Sequence, residues 1–95
     1  MSVKLIYSEP FTSLLERWEE VVKIDKPTPL RKVLLELIER NKEKLTGIIF
    51  KDDLDEMAED LVLAVNGINY KFKGGLDMEI KDGDKLYFMW NYFGG

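Results

Sequence analysis

The chain contains no cysteine and no histidine. These two absences together remove disulfides, thiolate zinc sites, imidazole acid–base catalysis and cysteine nucleophiles. Any sulfur chemistry must therefore run through something other than a side-chain thiol. There is also no apolar run of bilayer-spanning length, and the opening MSVKLIYSEPF lacks a sustained apolar stretch followed by a small-residue cleavage site. A cytoplasmic protein is expected, with no membrane partner. No phosphate-cradling glycine fingerprint is present either: Gly74-Gly75 lacks the following Lys-Ser/Thr, and nothing after it reads as a helix. No bound cofactor is expected, and ATP is not held in any recognisable way.

What is present is 95 residues, enough for one hydrophobic core and too few for two. The formal net charge of -4 argues against nucleic acid, whose phosphates an acidic surface repels. Asp52, Asp53, Asp55, Glu56, Glu59 and Asp60 crowd one acidic stretch, but the D-x-D-x-D-G register and closing Glu of a calcium loop are missing. A solvated or partner-facing acidic surface is expected there, and no metal.

Residues 3–8 (VKLIYS) are apolar and stop before Pro10, which predicts a first strand. Residues 19–25 (EEVVKID) carry Val21, Val22 and Ile24 before the turn at Lys26-Pro27, which predicts a second strand. Thr28-Pro29 is a helix-start signal, with the threonine oxygen available to an orphan N–H. Leu30, Val33, Leu34, Leu37, Ile38 and Leu45 then form one apolar stripe, predicting a single helix from there to about residue 45, stopped by Gly47. Residues 61–65 (LVLAV) read as a core strand, followed by the tight-turn pair Asn66-Gly67 and a short return through Ile68, Tyr70 and Phe72. Residues 85–92 (KLYFMWNY) read as the last strand, with Leu86, Phe88 and Trp90 alternating onto one face.

This order buries its apolar faces when two central strands run parallel and one helix lies across the sheet. The expected fold class is α+β, a ubiquitin-like β-grasp with a mixed four- to five-stranded sheet. Residues 1–91 would form the domain and residues 92–95 a tail. The terminal Gly94-Gly95 is not explained by packing. Glycine has no side chain and free φ/ψ, so such a tail can thread a narrow channel and deliver its carboxylate to another protein's active site.

The segments Val65-Asn66-Gly67, Gly74-Gly75-Leu76-Asp77 and Ile80-Lys81-Asp82-Gly83-Asp84-Lys85-Leu86, ending in Gly94-Gly95, resemble the MoaD/ThiS-type ubiquitin-like sulfur carriers, especially the small subunit of molybdopterin synthase and its archaeal relatives. The resemblance implies that an E1-like enzyme adenylates the carboxylate of Gly95 using ATP and that it becomes a thiocarboxylate. The carrier itself would not be an enzyme. Sulfur and ATP would arrive through partners: the E1-like enzyme, and the large subunit of molybdopterin synthase or another sulfur acceptor. Tyr87, Met89, Trp90, Tyr92 and Phe93 are expected to face those partners because they lead to Gly94, with Leu76 in the same patch. The family commonly has a Pro-Pro pair and a small residue before Gly-Gly, whereas this chain has Trp90-Asn91-Tyr92-Phe93. Two alternatives stay open: a modifier conjugated to lysines through the same activated tail, and a β-grasp interaction domain that is never activated.

Overall fold

A computed structural model of the protein describes residues 1–45, 49 and 60–91. In chain order the elements are β1 (Ser2–Tyr7), α1 (Phe11–Leu15), β2 (Glu19–Lys23), β3 (Thr28–Pro29), α2 (Leu30–Arg40), α3 (Lys42–Leu45), β4 (Leu61–Val65), β5 (Ile68–Asn69), two 3-10 turns (Tyr70–Phe72 and Gly75–Asp77), β6 (Glu79–Ile80) and β7 (Lys85–Trp90). Five strands make one sheet in the order β2-β1-β7-β4-β5, and β3 pairs with β6 in a separate two-stranded ribbon. β1 and β7 run parallel at the centre, while the flanking pairs are antiparallel. With α2 as the main helix across one sheet face, this is the β-grasp.

Strand alternation decides what is buried. Val3, Leu5 and Tyr7 of β1, Val22 of β2, Leu61, Leu63 and Val65 of β4, and Leu86 and Phe88 of β7 all point to the helix side and are buried. Leu30, Val33, Leu34 and Leu37 come down on them from α2. Phe88 is the centre of an aromatic group, 5.4 Å from the Tyr7 ring and 5.8 Å from that of Phe11.

Two expectations about the helix are corrected. Thr28 does not cap it: the Thr28 hydroxyl donates to the Lys26 carbonyl at 2.7 Å, and Pro29 occupies the cap position. Thr28 and Pro29 pair with Ile80 and Glu79, and Leu30 N–H donates to the Met78 carbonyl, so this backbone is claimed by a β-ribbon whose other strand is about 50 residues away. Nor is the helix continuous to Leu45. It ends at Asn41, whose side-chain amide donates to the Leu37 carbonyl at 3.0 Å, the competing bond that makes asparagine a poor interior residue. α3 restarts there and packs against α1, which still buries Leu45. Gly47, the expected stop, lies outside the described residues.

The loop residues that carry the resemblance meet at one end of the sheet. Asn66 and Gly67 both take positive φ, 53° and 87°, in the β4–β5 turn. The Asn66 amide donates to Asp84 Oδ1 at 2.9 Å, Lys81 N–H donates to Asp84 Oδ2 at 2.7 Å, and Lys85 N–H donates to Asn66 Oδ1 at 2.9 Å. Two turns 18 residues apart are thereby tied to the start of β7, and Lys4 N–H donates to the Asp84 carbonyl, adding β1. This knot is structural. It stands at the opposite end of β7 from the chain that leads to Gly94-Gly95.

Candidate functional site

β7 is the element that aims the C-terminus. It is the third of five strands, clamped by β1 on one side and β4 on the other, and Asn91 N–H continues the ladder by donating to the Asp60 carbonyl at 2.8 Å. The chain therefore leaves the domain from the middle of the sheet in a direction set by two neighbours. Gly95, Gly94, Phe93 and Tyr92, four of the residues expected to act, lie outside the described residues. The acidic stretch of residues 51–59 does too.

The other expected contact residues divide between two surfaces. Tyr87 and Met89 point away from the helices, as alternation from Leu86 and Phe88 requires; Tyr87 is half-buried and Met89 is 38% exposed. Trp90 faces the opposite way, half-buried, with its ring edge-on to Phe11 at 6.1 Å. Leu76 sits in the second 3-10 turn, packed against the core on the α2 side. The structure therefore brings Tyr87 and Met89 together and places Trp90 and Leu76 elsewhere.

Cross-strand register supplies neighbours that the sequence reading did not name. Ile6 of β1 and Ala64 of β4 flank Tyr87, and Val62 lies opposite Met89. Ile6, Val62, Tyr87, Met89 and the buried Ala64 form an apolar strip across the sheet face that no described helix covers. Lys4, ion-paired with Glu19 at 3.1 Å, and Lys85, its partner across β1 and β7, border it with charge. The signal for Ile6 was available, since it alternates with the buried Leu5 and Tyr7, but its partners belong to strands far away in sequence. Such an apolar centre with a charged rim suits protein docking.

On the helix side, at the outer edge of the core, the Tyr7 hydroxyl donates to the Glu20 carboxylate, which also receives Arg17 Nη1 at 2.7 Å. Burial first, then the hydrogen bond to Glu20 and its negative charge, push the Tyr7 phenol far above its ordinary value of 10.0. Because the folded value is raised, the associated stability is complete below about pH 10, where the unfolded phenol titrates, and is lost as pH rises further. The unfolding free energy, read from denaturant curves, is expected to fall between about pH 10 and 12 by up to roughly 1.4 kcal/mol per pH unit from this residue. Tyr7→Phe should flatten that fall, and an equally steep profile in the variant would rule Tyr7 out as its source.

The chain has no histidine or cysteine to act as base or nucleophile. No described helix is long and apolar enough to cross a membrane.

No family model matches the sequence, and no curated protein matches it. Solved structures do. SAMP1 of Haloferax volcanii superposes with a TM-score of 0.81 at 19% identity, over 100% of both chains. A Pyrococcus furiosus protein described as molybdopterin converting factor subunit 1 gives 0.74 at 28% identity, over 95% of this chain and 97% of its own. By fold this is a ubiquitin-like β-grasp protein, similar to MoaD-like proteins. A chain of the BexX/CysO complex of Amycolatopsis orientalis is similar too, at 0.74 and 20% identity over 98% of this chain and 99% of its own. In this fold the sheet face that no described helix covers adjoins the end of β7, and the Asn66–Asp84 knot holds the far end.

Proposed function

We propose that this protein is a sulfur carrier: its Gly95 carboxylate is adenylated by an E1-like enzyme and converted to a thiocarboxylate. The observation that carries the reading is a MoaD/ThiS-type fold whose central strand ends at Trp90, with Gly94-Gly95 closing the sequence. Residues 91–95, if extended, reach on the order of 15 Å, enough to enter a partner's active site while the domain stays outside. Activation makes chemical sense because a carboxylate is a poor electrophile until it bears a leaving group. Its attack on the α-phosphorus of ATP releases pyrophosphate, and a sulfur donor then displaces AMP. ATP and sulfur come through partners, and the chain binds no cofactor of its own and does not act as an enzyme. Its cytoplasmic acceptor on this reading is the large subunit of a molybdopterin synthase, where the thiocarboxylate supplies dithiolene sulfur for molybdenum cofactor biosynthesis.

The likeness to SAMP1 proteins, described as small archaeal modifiers, favours a second acceptor, the lysine amine of another protein. Bulky Tyr92 and Phe93 also point to a partner channel wider than one fitted to small residues. Intact mass spectrometry after incubation with the host's E1-like enzyme, ATP and a sulfur donor separates the readings. Exchange of one oxygen for sulfur at Gly95 supports the carrier. Isopeptide adducts on lysines without thiocarboxylate support the modifier. An unchanged mass removes both and leaves a non-activated interaction domain.

The uncovered face beside β7 is the E1-docking surface on this reading. Met89→Asp introduces a charge at its apolar centre and is expected to slow adenylation roughly tenfold or more, with the unfolding midpoint nearly unchanged. An unaltered rate would move the docking site off this face.

A further inference from the structure

We propose that the outer edge of β2 is a self-association surface, on which a second copy of this chain adds its own β2 antiparallel about a two-fold axis at Val21. β2 is the outermost strand of the sheet and pairs, among the described residues, only with β1. Tyr7 N–H donates to the Trp18 carbonyl and Ile24 N–H to the Met1 carbonyl, which fixes the phase of the ladder. Trp18, Glu20, Val22 and Ile24 direct their backbone groups at β1, so Glu19, Val21 and Lys23 direct theirs outward. Their side chains lie on the uncovered sheet face, with Val21 60% exposed.

The sequence of this edge, Glu19-Glu20-Val21-Val22-Lys23, is complementary to itself in one register. Centred on Val21, antiparallel pairing sets Val21 against Val21 of the second copy and Glu19, whose Oε2 already meets Lys4 Nζ of its own chain at 3.1 Å, against its Lys23, and the reciprocal pair forms by symmetry. All three are the residues with outward backbone groups, so each pair exchanges two N–H···O bonds. Opposite charges directly across a strand pair stabilise it, and like charges oppose it. Slipping the centre to Glu20 sets Glu20 against itself, and slipping it to Val22 leaves Glu19 and Lys23 without each other. Charged side chains on an edge strand ordinarily discourage pairing; here the two signs stand at equal distances from an exposed valine, so the Val21-centred register sets opposite charges against each other.

The flanks agree. The Val21-centred register places Trp18, 77% exposed, opposite Ile24 of the second copy. Beside Ile24 is a cleft of about 110 Å³ between the end of β2 and α2, lined among others by Lys23, Lys26 and Lys32. Ile24 is itself buried, so an indole at the cleft mouth meets chiefly the lysine ammonium groups, which stand beside Asp25 and Glu36, and aromatic–cation contact is available to it there. The two-fold axis turns the second β7 antiparallel to the first, so the two chain ends leave at opposite ends of a continuous sheet. Their central strands are separated by five strand spacings, about 24 Å. The strip around Tyr87 and Met89 stays uncovered in both copies.

The test uses the whole chain. Sedimentation velocity and amide spectra are recorded up to about 1 mM, the range in which a small interface of this kind associates. Reversible dimers are expected, with concentration-dependent shifts centred on the amides of Glu19, Val21 and Lys23. Glu19→Lys should weaken the dimer about tenfold or more by opposing Lys23, and adding Lys23→Glu should restore it, because the pair is re-formed with its signs exchanged. Val21→Lys should abolish it without lowering the unfolding midpoint. A monomer throughout, a dimer indifferent to Val21→Lys, or a charge exchange that fails to restore association would overturn the proposal. So would protection of these three amides appearing only when a different protein is added.

Discussion

Deleting Gly95 is expected to reduce sulfur loading by more than about 100-fold while leaving the domain folded. The magnitude follows from reach. Removing one residue withdraws the carboxylate by roughly 3.5 Å, and reacting groups misplaced by even about 1 Å lose on the order of 100-fold in rate. Folding should not register the loss, because among the described residues the core is complete by Phe88, with Trp90 packed against it. Mass spectrometry of the loaded protein and a thermal unfolding curve of the same preparation check the two halves together. Equal loading of the shortened chain would show that Gly95 is not the carrier position. A lowered unfolding midpoint would show that the terminal residues stabilise the domain, and loading would then have to be compared at matched folded fraction.

Phe88→Ala is expected to have the largest effect on stability. Phe88 is 1% exposed and is the inward residue at the middle of the central strand, touching Tyr7 of β1 and Phe11 of α1. Its removal leaves a cavity walled by elements from both ends of the sequence, which cannot collapse without breaking the β1–β7 register. Truncations of this kind cost about 3–5 kcal/mol, against a total stability of roughly 5–14 kcal/mol for a domain of this size. The unfolding midpoint should fall by more than about 12 °C. Met89→Ala, one residue along and pointing the other way, is the control and should cost less than about 1 kcal/mol. Comparable losses at the two positions would mean that alternation along β7 does not separate a core face from an open one.

The consequences of that alternation were only half visible in the sequence. Leu86 and Phe88 read as core from their neighbours alone, and they are. Trp90 shares their parity, yet its nearness to the terminus made a partner-facing role attractive; the ring of Phe11, which meets it edge-on, comes from a helix near the other end of the chain. Leu76 was grouped with the docking residues, and packing places it on the α2 side of the sheet. Thr28-Pro29 carried a sound helix-start signal and was overruled by β6, a pairing that local propensity does not encode.

From the sequence alone follow the strands of the main sheet and their faces, the Asn66-Gly67 turn, the absence of any catalytic side chain of the histidine or cysteine type, and the terminal Gly94-Gly95. These depend on periodicity, on backbone conformations open to particular residues, and on composition, all of which are local. Tertiary structure alone decided that Asn66 and Asp84 share hydrogen bonds across 18 residues, that Ile6 and Val62 complete the strip around Tyr87 and Met89, and that Glu19, Val21 and Lys23 lie on a strand that, among the described residues, is paired on one side only. Each of these depends on which strands become neighbours and in what register. That is settled by burying the whole core at once, because a shift of one residue would turn every side chain of a strand to the opposite face.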